Sequence, residues 1–288
     1  MITVKYRGRL GNQMFQYAFA RLLALETGLA LTAPPIPGFP KAMDVPGKWN
    51  FSAPISITDL PPYVNKRADF NIHNRNLSLT EIASTCRGRA VQLDGYFERL
   101  DFFEGRHAEI RSWFGGPSAP NETTVVNVRG GDYIVDDVDP LPVSYFKRAL
   151  EITGNTDALV VTDSPDRLLV RQLELPIEHG SIDYDFNRIR NARKIITSLS
   201  TFSWWAAFLS NAEVIVQPSI LTGFRSKACP HAACLDQPSW IKVPTGWHYL
   251  TAEASREYLA AQSQSADEWP YVAHKIVDSS LAKNLHGK

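Results

Sequence analysis

The chain opens with Ile2-Thr3-Val4-Lys5-Tyr6-Arg7-Gly8-Arg9-Leu10-Gly11-Asn12-Gln13. Ile2–Tyr6 is a short β-rich run, and Gln13–Gly28, rich in Ala, Leu, Phe and Met, predicts a helix. Glycines between a strand and a helix let the backbone approach a ligand closely, and the start of the helix attracts an anion. The glycine spacing differs from that of a Walker loop or a dinucleotide fingerprint. The stretch therefore predicts a strand, a loop and a helix that either bind an anion or form an ordinary turn.

Further along, apolar runs alternate with helical patterns, and the connections between them are short. The predicted strands are 91–97, 123–128, 158–162, 194–197 and 213–217, and the predicted helices are 101–114, 143–153, 166–173 and 202–211. Such alternation indicates parallel α/β sheets, in which ligands bind at the carboxyl ends of the strands. Eight prolines between residues 33 and 65 predict an irregular excursion there.

The glycine- and proline-rich stretch Gly115–Asn121 is the predicted linker. It divides the chain into an N-terminal α/β domain, residues 1–116, and a second α/β domain, residues 121–250. Residues 251–288 are predicted to form a C-terminal helical segment, and packing of this segment on the first domain is left open.

The composition excludes some classes of partner. Among the 288 residues, 30 Lys and Arg balance 30 Asp and Glu, so no global positive field attracts nucleic acid or an anionic membrane. The three cysteines give no disulfide framework and fit a reducing compartment. We see neither a leader nor an apolar run of membrane-spanning length, so we expect a cytoplasmic protein. Peripheral association with a membrane stays open.

Asn127-Val128-Arg129-Gly130-Gly131-Asp132-Tyr133 follows the predicted strand 123–128. An arginine that leaves a buried strand beside two glycines can point its planar fork at phosphate oxygens and bind two of them at once. Asp132 is close enough in sequence to orient Arg129 or to act as a base. The alternative is a surface Arg–Asp pair, which contributes little to stability.

The stretch Ser198–Leu209, which reads Ser-Leu-Ser-Thr-Phe-Ser-Trp-Trp-Ala-Ala-Phe-Leu, places four hydroxyls at a strand-to-helix junction. Such hydroxyls can cap the helix and can bind a phosphate at its N-terminus. Capping alone accounts for one hydroxyl, not four. Trp204 and Trp205 could stack on a base or a sugar, although at adjacent helix positions one of them is expected in the core.

Cys229, His231 and Cys234 are three candidate zinc ligands within six residues. No fourth ligand stands nearby in the sequence, and a structural zinc site needs four. We therefore predict that they bind no zinc.

Several motifs together resemble the bacterial α-1,2-fucosyltransferases. Gly8–Ala18 is similar to the Gly-Gly-Leu-Gly-Asn-Gln-Met-Phe-Gln-Tyr-Ala opening of that family, and Leu93–Phe97 resembles its Leu-x-Gly-Tyr-Phe/Trp segment. Val161–Pro165 looks like its Ser-Asp-Asp-Pro strand end, and Ser200–Trp205 repeats its Ser-Thr-Phe-Ser-Trp-Trp motif. Arg9 also resembles the Gly-Arg-Phe-Gly-Asn-Gln loop of the protein O-fucosyltransferases. The matches occur in the family's order and cover most of the chain.

The resemblance implies a GT-B glycosyltransferase with two Rossmann-like α/β domains facing each other across a cleft. The nucleotide is expected mainly on the second domain and the acceptor on the first. It further implies inverting transfer of L-fucose from GDP-β-L-fucose to a glycan hydroxyl, in α-1,2 linkage to galactose, without a metal or another cofactor. The predicted catalytic residues are Arg129, for the leaving phosphate, which matches the family's arginine, and Asp132, our choice for the base, with Asp163 as second choice. Either aspartate could instead only orient Arg129. The predicted donor-binding residues are Gly8, Arg9, Gly11, Asn12, Gln13, Asn127, Arg129, Asp163, Asp185, Ser200, Thr201, Phe202 and Ser203.

One motif departs from the family. The family's His-x-Arg-Arg-Gly-Asp-Tyr keeps its first arginine as Arg129, but Asn127 replaces the histidine and Gly130 the second arginine. Two rival classes therefore stay open. The first is a GDP-sugar-binding protein with weak or lost catalysis, or a transferase of another GDP-sugar. The second is a generic α/β nucleotide-binding or phosphatase-like enzyme, whose expected loops and nucleophiles are absent from the sequence.

Overall fold

The structure is a computed structural model. It describes residues 1–39, 44–50, 52–73, 75–116, 119–129, 141, 143–154, 157–166, 168–219 and 237–244. The chain separates into two compact units, Met1–Gly116 and Pro117–Lys288. No helix among the described residues is both long and apolar enough to cross a membrane.

The first unit is a parallel sheet covered by helices. Its strands are β1 (Ile2–Val4), β2 (Leu31–Thr32), β3 (Ile55–Thr58), β4 (Phe70–Asn71) and β5 (Val91–Leu93), in the order β2-β1-β5-β3-β4, and every neighbouring pair is parallel. Its helices are α1 (Leu10–Thr27), α2 (Leu79–Cys86) and α3 (His107–Trp113), and a 3-10 helix spans Leu100–Phe103.

Helix α1 is the centre of this unit, because most of its circumference is buried. The ring of Phe19 stacks on that of Phe97 with centroids 4.4 Å apart, and Phe15 stacks on Phe103 at 5.6 Å. Burial of each such side chain is worth about 2 kcal/mol. The helix ends at Gly28, whose φ of 69° is a left-handed conformation that glycine adopts without strain.

Three sequence-based expectations for the first unit need correction. Helix α1 begins at Leu10, three residues before the predicted start, so Gly11 and Asn12 belong to its first turn and not to the loop. The proline-rich region is not wholly irregular, because β3 forms within it and joins the sheet. The helix predicted over 101–114 is broken at Gly105, whose φ is 71°, into the 3-10 helix and α3.

The second unit contains a six-stranded sheet in which every neighbouring pair is parallel. Its strands are β6 (Thr124–Val128), β7 (Ala158–Thr162), β8 (Ile177–Glu178), β9 (Lys194–Ile196), β10 (Val214–Ser219) and β11 (Ile241–Pro244), in the order β11-β10-β9-β6-β7-β8. Its helices are α4 (Val143–Thr153), α5 (Leu168–Arg171), α6 (Ile182–Arg190) and α7 (Thr201–Phe208). Parallel sheets in both units confirm the predicted α/β class with Rossmann-like domains.

Strand β6 and strand β7 are buried at every position, as expected for central strands of a parallel sheet. Helix α6 was missed by the sequence analysis. Its residues are mostly polar, but Ser181 caps it by accepting a hydrogen bond from the amide of Tyr184. The segment 251–288, predicted to be helical, lies outside the described residues.

Candidate functional site

The predicted phosphate-binding residues of the second unit lie at one edge of its sheet. Because all six strands are parallel, the residues that follow them share the carboxyl edge. Arg129 follows β6, Asp163 follows β7, and Ser198 lies between β9 and α7. The order β9-β6-β7 therefore places these three positions on adjacent strands.

Arg129 and Asp163 form an ion pair between Nη1 and Oδ2. The Arg129 side chain retains 14% of its exposure and that of Asp163 retains 30%. A carboxylate on one side of a guanidinium fixes the plane of the fork. The geometry matches the alternative in which Asp163 orients the arginine.

Asn127 is buried and holds the strand ends together. Its Nδ2 donates to the carbonyl of Val161 at 3.0 Å, and its Oδ1 accepts from the hydroxyl of Ser198 at 2.7 Å. Both polar atoms of the amide thus bond within the protein. Asn127 therefore joins β6, β7 and the loop before α7, and we assign it to the frame of the site and not to ligand contact.

The hydroxyls at the start of α7 divide between two tasks. Ser200 caps the helix, because its Oγ accepts from the amide of Phe202 at 3.2 Å. Ser203 is wholly buried and donates to the carbonyl of Ser200 at 3.2 Å, so it supports the loop from inside and does not present a hydroxyl to a ligand. Thr201 and Phe202 are half-buried at the helix start.

Both tryptophans of the motif belong to the core. Trp204 is 3% exposed and Trp205 is 0% exposed. The ring of Trp204 stacks on that of Phe208 at 4.9 Å, and Trp205 meets it edge-on. The idea that either ring stacks on a base or a sugar is therefore wrong, because neither face is open.

Asp185 also bonds within the protein. It lies in the first turn of α6, accepts from the amide of Gly180 at 2.9 Å and lies 3.0 Å from Nδ1 of His179. It is 7% exposed. These contacts fix the turn between β8 and α6, and His179, half-exposed at the carboxyl edge, is the more accessible member of the pair.

Several predicted residues lie outside the part of the chain that the structure describes: Gly130, Asp132, Cys229, His231 and Cys234. The base and zinc hypotheses thus stay predictions. Among the described residues, no three His, Cys, Asp or Glu side chains come together as a metal site would require.

The Gly8–Gln13 segment follows β1 at the carboxyl edge of the first sheet. Gln16 fixes its start, because the side chain is fully buried and bonds to both the amide and the carbonyl of Arg7, each at 2.8 Å. Gly8 has a φ of 68°, and its carbonyl accepts a hydrogen bond from Nε2 of Gln13 at 3.2 Å. A Cβ at Gly8 would lie 2.6 Å from Oδ1 of Asn12, so glycine is required there.

Asn12 links this segment to a buried carboxyl group that the sequence analysis missed. Its Nδ2 donates to Oε1 of Glu98 at 2.6 Å, and its Oδ1 accepts from the amide of Arg9 at 3.1 Å. Burial raises the pKa of Glu98 to about 7, the bond from Asn12 lowers it, and the neighbouring charge of Asp59 raises it.

The Leu93–Phe97 segment forms a second tight arrangement at this edge. Asp59 is buried and accepts from the amides of Tyr96 and Phe97 at 2.7 and 2.6 Å. A Cβ at Gly95 would lie 2.1 Å from Oδ1 of Asp59, which explains the glycine of the motif. The preceding Asp94 pairs with Arg7, and that guanidinium holds the pKa of Asp94 below its ordinary value.

Comparison with known proteins identifies a relative in sequence. No family model matches the chain. It is 25% identical over 285 residues to galactoside alpha-(1,2)-fucosyltransferase 2 of Bos taurus, a match that covers 85% of this chain and 79% of that protein.

Two solved structures are distantly similar to this chain. NodZ alpha-1,6-fucosyltransferase soaked with GDP-fucose has a TM-score of 0.37 at 15% identity, covering 73% of this chain and 92% of that one. POFUT1 in complex with GDP has a TM-score of 0.39 at 9% identity, covering 85% and 97%. The sequence match along most of the chain confirms the resemblance to the α-1,2-fucosyltransferases that the motifs predicted, and with it the enzyme class, a glycosyltransferase.

Proposed function

We propose that this protein is an inverting fucosyltransferase that moves L-fucose from GDP-β-L-fucose to a hydroxyl of a glycan acceptor, in α-1,2 linkage to galactose. The observation that carries the proposal is the carboxyl edge of the second sheet. There Arg129 pairs with Asp163, and the capped start of α7, whose motif is intact, follows the adjacent strand β9. The similarity to a galactoside alpha-(1,2)-fucosyltransferase supports the transferred sugar and the linkage.

The chemistry follows from where charge develops. The acceptor oxygen forms a bond to the anomeric carbon of fucose on the face opposite the nucleotide. The bond from that carbon to the β-phosphate oxygen breaks, and GDP leaves with the electron pair. The leaving phosphate gains negative charge, which preorganised donors stabilise more strongly in the transition state than in the ground state. Inversion of a β-linked donor gives an α-fucoside.

Each proposed role uses a group at this edge. Arg129 binds the leaving phosphate, and Asp163 holds the guanidinium plane. The N–H groups at the start of α7 add partial positive charge. The proton of the acceptor hydroxyl passes to a base, for which Asp132 is our candidate.

The Gly8–Gln13 segment of the first unit is proposed as a substrate-binding loop. Its backbone is held open by the left-handed Gly8 and by three side-chain bonds, from Asn12, Gln13 and Gln16. Such fixed N–H groups at a helix start suit an anionic or hydroxyl-rich ligand.

The experiment is a comparison of GDP-fucose, GDP-mannose, UDP-galactose and dTDP-rhamnose with the purified protein, first for binding by calorimetry and then for transfer to β-galactosides. The proposal expects binding of GDP-fucose in preference to the others and release of GDP only when a galactoside is present. Binding without transfer to any acceptor would favour a GDP-sugar-binding protein. If the protein preferred another GDP-sugar, that sugar would take the place of GDP-fucose as the proposed donor.

A further inference from the structure

Glu98 is a carboxyl group buried at the edge of the first sheet. It is 5% exposed and follows directly on the Leu93–Phe97 motif, yet none of the chemistry above uses it. Its described hydrogen-bond partner is the side chain of Asn12, with Nδ2 and Oε1 2.6 Å apart. Burying an ionised carboxyl group costs free energy of folding unless hydrogen bonds or a paired charge compensate for the lost hydration.

Asn12 is the pivot of the Gly8–Gln13 segment. Its Oδ1 accepts from the amide of Arg9, and it lies so close to Gly8 that a Cβ there would approach its Oδ1 to 2.6 Å. The amide of Asn12 has two different ends, a donor and an acceptor. Only one of its two orientations supplies an acceptor to Arg9.

The charge of the partner decides that orientation. An ionised carboxylate only accepts hydrogen bonds, so it requires Asn12 to turn Nδ2 toward Glu98 and thereby Oδ1 toward Arg9. A neutral acid, or a glutamine, can donate as well as accept, and both orientations become available. We propose that Glu98 is a positioning residue whose carboxylate fixes the amide of Asn12 and so holds the Gly8–Gln13 loop at the start of α1.

The groups around Glu98 make its effect on the Gly8–Gln13 loop sensitive to pH. Asn12 faces Glu98 from α1 and stabilises its ionised form, whereas Asp59, from the loop after β3, opposes ionisation by its own charge. The neighbouring Arg99 is bonded to Asp101 at 3.0 Å and to the carbonyl of Arg75, also at 3.0 Å. With burial as the largest influence, the pKa of Glu98 is raised to about 7, so the loop is held more firmly above neutrality than below it.

The direct test observes the loop and does not depend on activity. Protein labelled with ¹⁵N-arginine gives a signal for the Arg9 amide, assigned with Arg9→Lys. We expect this signal to titrate with a midpoint near pH 7 in the wild type and to lose that titration in Glu98→Gln. At pH 8 the amide should exchange about tenfold faster in Glu98→Gln, as for loss of one hydrogen bond. Glu104→Gln, an exposed position in the same unit, is the matched control and should behave as wild type.

The effect on catalysis rests on the proposed function and is measured separately. Transfer from GDP-fucose should show a rise in kcat/KM through pH 7 that Glu98→Gln lacks, with thermal melts to establish folding. If the Arg9 amide signal of the wild type did not change with pH around pH 7, the proposal would be overturned. This outcome does not depend on whether Glu98→Gln folds. A titrating Arg9 signal in a protein without transferase activity would leave the positioning role intact and refute the proposed function alone.

Discussion

Nη1 of Arg129 pairs with Oδ2 of Asp163 across the carboxyl ends of two adjacent parallel strands, β6 and β7. An exposed pair of this kind contributes little to stability. Here, however, both residues lie at the carboxyl edge of a parallel sheet, the edge at which such sheets bind ligands. We therefore expect the pair to affect catalysis more than folding.

Replacement of Arg129 by alanine should lower kcat/KM by about 100-fold or more, as for loss of one preorganised donor to a transition state. Arg129→Lys should recover little of this, because a point charge cannot reproduce a planar fork. The measurement is transfer from GDP-fucose, with thermal melts of each variant.

Arg193→Ala is the control for this arginine. Arg193 is exposed, pairs with Glu122 and Glu213, and precedes β9 at the opposite edge of the same sheet. It should retain wild-type rates. Near wild-type transfer by folded Arg129→Ala would show that the phosphate role is wrong.

The role of Asp163 is decided by the pH profile. If it orients Arg129, Asp163→Asn should lower kcat/KM about tenfold, as for loss of a charged hydrogen bond, and leave the shape of the profile unchanged. A catalytic base would instead cost 100- to 10,000-fold, roughly, and its limb of the profile would vanish. Asp166→Asn, exposed in the same loop and 3.4 Å from Arg171, is the control.

The sequence predicted the second unit more closely than the first. Helix 143–153 and strand 158–162 were placed at their observed bounds, because the helix has a strong apolar periodicity and the strand is an unbroken apolar run. The predicted start of α1 lies three residues after the observed one, because Gly11 and Asn12 favour a loop by propensity. Tertiary burial of Gly11 and the bond from Asn12 to Glu98 override that propensity.

Long-range pairing accounts for what the sequence could not reveal at the site. Asn12 and Glu98 are 86 residues apart, and Asp59 is 38 residues from the Phe97 amide that it binds. No local pattern indicates such partners. Conversely, Ser203 and Asp185 matched a motif or a family position, yet their polar atoms bond inside the fold. A motif thus predicts a site, but it does not indicate which of its residues are buried in the fold.

Gly95→Ala should destabilise the protein by about 3 kcal/mol, because a Cβ would lie 2.1 Å from Oδ1 of Asp59 and displace a carboxylate that binds two buried amides. Gly88→Ala is a useful comparison. Its φ of 68° makes alanine strained, but no atom lies within 4 Å of the added methyl, so backbone strain of about 1 kcal/mol is expected there. Equal losses in urea unfolding for the two variants would contradict the proposed crowding.

Transfer should survive exhaustive chelation. In the proposed mechanism Arg129 and the N-terminus of α7 neutralise the leaving phosphate, so no divalent cation is required for that task. The measurement is kcat/KM before and after dialysis against EDTA, with metal content determined at each stage. Activity that disappears and returns only with Mg²⁺ or Mn²⁺ would require a different account of the charge.

The raised pKa of Glu98 predicts how stability changes with pH. A carboxyl group whose pKa rises from 4.5 in the unfolded chain to about 7 in the folded protein binds more protons when folded between those values. Its contribution to stability is therefore present at pH 4.5 and is lost as pH rises through 7, by up to ~3 kcal/mol. Glu98→Gln cannot ionise, so it should lack this loss and gain stability over the wild type at pH 8, while Glu104→Gln should not. Urea unfolding from pH 5 to pH 8 measures the difference. Parallel pH dependence in the wild type and Glu98→Gln would mean that Glu98 does not titrate in this range.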